Sequence, residues 1–169
     1  MEKVSPKDLT SSELVALLQV FSSWTSSGGA VGDLLDIPSE QRDALYQLGH
    51  GYYVNGRYDQ AFQVFSLLVV YEHLNERYLM AAAGAAQMLG KYKEALQHYY
   101  TAAAIMIDDP RPVFFSAECL LALGENAFAI ETLELSIELA GDKTSEIAIK
   151  TRAQAMLQAA RETATVSTE

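Results

Sequence analysis

Through the middle of the chain, apolar residues recur at the three-and-four spacing of a helix rather than in alternation, as in Leu45, Leu48 and Tyr52 and again in Ala61, Phe65 and Leu68. The pattern itself repeats. Gly56, Gly90 and Gly124 stand 34 residues apart, as do Ala61, Ala95 and Ala129, within the parallel phrases GRYDQAF, GKYKEAL and GENAFAI. The same offset aligns Leu45 with Leu79 and Val113, Gly49 with Ala83 and Ala117, and Phe65 with Tyr99 and Leu133. Large and small positions therefore recur together. A helical hairpin asks for this: small residues where two helices approach closely, glycine in the turn, and bulky side chains filling between turns.

A 34-residue period is that of the tetratricopeptide repeat (TPR). The expected fold is all-α: a TPR solenoid of three helical hairpins over 42–75, 76–109 and 110–143, with an N-terminal helical extension (1–41) and a C-terminal capping helix and tail (144–169). Asp108 and Asp109 ahead of Pro110 and Pro112 suit an acidic cap with prolines in the first helical turn, which supports the third boundary. In the extension, Leu9, Leu14, Leu17, Leu18 and Phe21 predict an amphipathic helix over 8–24, broken by Thr25 to Gly29. A short apolar piece, Val31 to Ile37, then ends at Pro38. Lys143 to Arg161, with Ile147, Ile149, Ala153, Met156 and Leu157, reads as the helix that covers the last repeat's stacking face.

Charge narrows the partners. With 22 acidic against 12 basic residues the net charge is −10, which repels nucleic-acid phosphates and anionic lipid surfaces. Apolar stretches such as Leu79 to Ala86 are far shorter than the roughly 18 residues that span a bilayer, so neither membrane nor nucleic acid is an expected partner. The single cysteine, Cys119, cannot close an internal disulfide and fits a reducing cytoplasm. His50, His73 and His98 are scattered, no metal-site spacing or phosphate-binding loop occurs, and neither a catalytic site nor a cofactor is expected.

The informative positions are those on the first helix of each hairpin that are not consensus core. In the repeat register they are Tyr46, His50, Tyr53 and Val54, then Met80, Gly84, Gln87 and Met88, then Phe114, Glu118 and Leu121. A concave wall of tyrosine, methionine, phenylalanine and leucine suits an extended apolar peptide. His50 reads as a contact residue rather than a pH switch, and Cys119 as a small core filler. Tyr52, Tyr58, Tyr92 and Tyr99 sit at core-like repeat positions. Clamps for the C-terminal carboxylates of heat-shock proteins need lysine, arginine and asparagine at the inner positions, and Tyr46 and His50 do not supply them.

The stretch from Ser27 to Ala140 resembles the class II chaperones of bacterial type III secretion systems. The resemblance is carried by Gly28-Gly29 leading into Leu34 and Leu35, by LYQLGHGYYVNGRYDQAFQVF, and most specifically by DPRPVFFSAECLLALGE from Asp109 to Glu125. It implies a cytoplasmic bacterial protein that binds an extended segment of hydrophobic translocator proteins in its groove and keeps them soluble and competent for secretion. It further implies a homodimer formed through the N-terminal helices, and assistance to an AraC-type transcription activator. Leu14, Leu17, Leu18 and Phe21 are the dimerisation candidates, the alternative being that they fold back onto the repeats. The competing function is a TPR scaffold or regulatory adaptor that joins two folded proteins without protecting either.

Overall fold

The computed structural model describes residues 31–166 and, ahead of them, Ser12, Val15, Gln19, Ser22, Ser23 and Gly29. The dimerisation candidates Leu14, Leu17, Leu18 and Phe21 lie outside the described residues. The helices in order are α1 (Val31–Leu34), α2 (Ser39–Val54), α3 (Tyr58–Tyr71), α4 (Glu76–Met88), α5 (Tyr92–Ile105), α6 (Pro110–Ala122), α7 (Asn126–Ala140) and α8 (Ile147–Val166), with a 3-10 turn at Thr144–Glu146. From α2 onward each helix packs on the next, and α8 lies against both α7 and α6. Among the described residues the architecture is three helical hairpins and a capping helix, with no strand.

The repeat period is visible in the atoms that make the turns. Gly56, Gly90 and Gly124 take φ of 73°, 73° and 78°, a backbone conformation that costs other residues a clash with their own Cβ. After α2 the amide of Gly56 donates to the carbonyl of Tyr53 at 3.0 Å and that of Arg57 to Tyr52 at 2.9 Å, which satisfies carbonyls at the helix end. Asn75 and Asp109, one period apart, both serve as N-caps. The Asn75 side chain accepts from the amides of Arg77 (3.1 Å) and Tyr78 (3.3 Å), and Asp109 from the amide of Arg111 at 2.8 Å. The equivalent residue in the first repeat is Gln41, a poor cap, and α2 instead begins at Ser39 behind Pro38.

Alanines let the helices close up. Ala61, Ala82, Ala83, Ala85, Ala86, Ala95, Ala117 and Ala129 have no exposed surface, and around them pack Phe65, Leu68, Leu79, Tyr99 and Leu133. At Gly49, where the other repeats carry Ala83 and Ala117, a Cβ would lie 2.6 Å from Cε1 of Phe65. Gly49→Ala gains up to about 1 kcal/mol of helix propensity, but the overpacking it imposes costs about 1–3 kcal/mol. Since Phe65 is only 2% exposed and its ring has little room to step aside, the variant is expected to be less stable by up to about 2 kcal/mol in urea denaturation. An unchanged midpoint would show that the ring yields.

Polar contacts tie successive repeats along the same period. Arg77 of α4 pairs with Asp43 of α2 at 3.1 Å, and its guanidinium carbon lies 3.6 Å from the centroid of the Tyr46 ring. Arg42, 8% exposed, pairs with Glu72 at 2.5 Å and joins the start of α2 to the end of the first hairpin. Among the described residues no helix is long and apolar enough to cross a membrane.

Candidate peptide-binding groove

The first helices of the three hairpins, α2, α4 and α6, each contribute wall to one cavity of about 350 Å³. Its walls are Tyr46, His50 and Tyr53 from α2, then Met80, Ala81, Gly84, Gln87 and Met88 from α4, then Phe115 and Glu118 from α6; Phe65 and Tyr99 reach it from the second helices. Tyr46, His50, Tyr53, Met80, Gly84, Gln87 and Glu118 thus lie together on the wall of one cavity. The aromatic rings brace one another: Tyr46 lies 5.4 Å from Phe65, Tyr53 packs edge-on to Tyr58 at 5.3 Å, and Tyr99 stacks on Phe115 at 5.7 Å.

Three of the expected groove positions are placed elsewhere. Phe114 is fully buried, in the core shared with Ala117, Leu133 and Ala153 of the capping helix. The reason is the end of the repeat: α8 takes the place a fourth hairpin would occupy, and the Arg152 guanidinium closes over the Phe114 ring at 4.7 Å. Leu121 is half-buried against the core and is not part of the cavity wall. Val54 is 63% exposed and also lies off the wall. In their place the structure brings in Phe115, Phe65 and Tyr99. Tyr99 fits the core reading in its ring, which is 2% exposed, while its hydroxyl reaches the cavity.

One hydrogen-bonded polar chain runs through this largely apolar wall. The Tyr99 hydroxyl donates to Oε1 of Gln87 at 2.7 Å, Nε2 of Gln87 donates to Oε2 of Glu118 at 2.8 Å, and Nη2 of Arg152 donates to Oε1 of Glu118 at 3.0 Å. Burial raises the pKa of the Tyr99 phenol well above its usual value, with further increments from Cys119, Tyr53 and Glu118, so it remains a donor throughout the physiological range. Burial, and secondarily Tyr58, raises that of Tyr53. Burial also pushes the Cys119 thiol up to about 12, helped by the adjacent Glu118 carboxylate. With no exposed surface and a protonated sulfur, Cys119 should resist iodoacetamide at pH 8 until urea unfolds the chain; labelling of the folded protein would contradict that placement.

The hairpins and their glycine turns, repeated at one period, define a helical-repeat protein of the TPR type. No protein-family model matches the chain. It is 36% identical over 137 residues to low calcium response locus protein H of Yersinia pestis, covering 81% of this chain and 82% of that one. To the chaperone protein SicA of Salmonella typhimurium it is 30% identical over 134 residues, covering 79% of each. Among solved structures, the type III secretion translocator chaperone SycD of Yersinia enterocolitica superposes with a TM-score of 0.72 at 36% identity, covering 78% of this chain and 98% of that one. PcrH of Pseudomonas aeruginosa, in complex with the chaperone-binding region of PopD, superposes with a TM-score of 0.71 at 34% identity, covering 74% and 94%. SycD is also known with a peptide of the translocator YopD and in an alternative dimer. The chain belongs to the type III secretion translocator chaperones, the family of SycD and PcrH.

Proposed function

We propose that this chain holds an extended, apolar segment of a hydrophobic translocator in its concave cavity and thereby keeps the translocator soluble in the bacterial cytoplasm until export. The observation that carries this reading is the cavity, where tyrosine, methionine and phenylalanine side chains from successive hairpins line one continuous apolar space. Binding an exposed apolar segment lowers the concentration of free translocator available for aggregation. Ordering an extended peptide offsets part of the contact energy, so an isolated segment should bind at micromolar strength or somewhat tighter, about −8 kcal/mol. The complexes of PcrH with a PopD region and of SycD with a YopD peptide favour this reading over a scaffold that joins folded proteins. A second copy of the chain is the expected further partner, supported by the alternative dimer of SycD.

Co-expression with the translocator of the same secretion system tests this directly. The translocator should move from the pellet to the supernatant when this chain is present and co-purify with it. A translocator that stays insoluble at equal expression, or is equally soluble alone, would remove the chaperone reading and leave the adaptor.

A further inference from the structure

Gln87 is held in one orientation by its neighbours. An ionised carboxylate only accepts hydrogen bonds, so the nitrogen of the Gln87 amide must face Glu118 and its oxygen must face Tyr99. Glu118 is in turn held from outside the repeats by Arg152 of α8, whose guanidinium is braced on the Phe114 ring. A side-chain amide offers two N–H groups and two oxygen lone pairs. The chain of bonds uses one of each and leaves one of each on a residue of the cavity wall.

That remaining pair, one donor beside one acceptor, matches the C=O and N–H of a peptide backbone. One turn away on α4 is Gly84, where a Cβ would lie 3.8 Å from the Tyr53 hydroxyl and 3.9 Å from that of Tyr99. With no side chain there, a ligand backbone can approach the helix closely. Around this polar spot the wall is mainly apolar, with Met80, Ala81, Met88 and Phe115, and its other polar groups are the Tyr46 and Tyr53 hydroxyls and the His50 imidazole, none of which offers a donor and an acceptor side by side as an amide does. An extended segment entering such a wall loses water from its amides and needs at least one fixed partner.

Resting on the groove reading above, we propose that Gln87 is the register-setting residue of the groove: its locked amide pairs with one peptide unit of the extended ligand. Arg152 and Glu118 act as positioning residues that keep the amide from turning. The ligand residue that supplies the N–H cannot be proline, whereas its neighbours are free to be.

The test uses the full chain and fluorescein-labelled 15-residue peptides tiling the translocator of the same secretion system, followed by a backbone N-methyl scan of the tightest binder. With the wild-type protein, one N-methyl position should weaken binding about tenfold more than its neighbours. In Gln87→Leu, overall affinity should fall about tenfold and that position-specific penalty should vanish, while truncating the peptide's apolar side chains stays costly. Arg152→Met should shrink the same penalty without abolishing binding. If Gln87→Leu loses its helical circular dichroism, Tyr99→Phe, which removes the hydroxyl holding Oε1, replaces it with a reduced penalty as the expected result. An N-methyl profile identical in wild type and variant, or a uniform loss without position dependence, overturns the clamp while leaving the groove reading intact. Failure of every peptide to bind the wild type overturns both.

Discussion

Replacing Phe114 by alanine is expected to lower the unfolding free energy by about 3–5 kcal/mol, the cost of emptying a buried aromatic site that cannot fully collapse. Phe114 has no exposed surface, meets Phe115 edge-on at 5.4 Å, and is covered by Arg152 and by Ala153 of the capping helix. The loss falls at the junction between the third hairpin and α8, so the cap should loosen with it. Urea denaturation followed by circular dichroism measures the effect. A shift below about 1 kcal/mol would mean that the side chain sits at the surface, as the repeat register alone suggests, and that the cap is misplaced.

Gly84→Phe should do the opposite: spare the fold and remove the ligand. A Cβ at Gly84 meets nothing closer than 3.8 Å, and past it lies the cavity of about 350 Å³. A phenylalanine ring there occupies the space an apolar ligand side chain would fill. Such an anchor contributes about 1.5–3 kcal/mol, so affinity for the translocator segment should drop about 10- to 100-fold. Stability should hold or rise, because glycine inside a helix costs about 0.5–1 kcal/mol relative to alanine. Gly84→Ala, which adds only a Cβ on the side where the ligand backbone approaches, should lose affinity to a smaller extent and fall between wild type and Gly84→Phe. Titration calorimetry beside a thermal melt separates the two effects, and full affinity in Gly84→Phe would place the ligand outside the cavity.

These two substitutions mark where the repeat pattern carries information and where it stops. Gly56, Gly90 and Gly124 were legible because a left-handed turn needs glycine, and the alanine ladder because close helix approach needs small residues. Tyr46 and Met80, one period apart, both reach the cavity because each faces a neighbouring hairpin of the same shape. Phe114 occupies the same register and does not, because its hairpin is covered by α8, which has no copy elsewhere in the chain. The neighbour, Phe115, faces the cavity in its place.

Side-chain pairings between helices were harder to read. The register singled out Gln87 and Glu118 but not Arg152, and the bonds joining the three depend on how three helices meet and leave no spacing signal. Tyr99 shows a different limit: a core position whose ring packs inside while its hydroxyl serves the wall. A periodicity argument assigns one role per position and misses such double use. Arg42 likewise marks the start of the first repeat in sequence, and only the structure shows it buried against Glu72.

The chain has five methionines, two of which, Met80 and Met88, line the cavity, while Met156, on the capping helix, packs half-buried against the core of the third hairpin. A carbon–proton NMR spectrum of protein labelled at the methionine methyls, recorded as a translocator segment is added, therefore reports on the groove directly. Occupation of the cavity predicts that the Met80 and Met88 methyls shift and saturate together while Met156 stays in place. Saturable binding that leaves Met80 and Met88 unmoved would contradict it and put the ligand on another face.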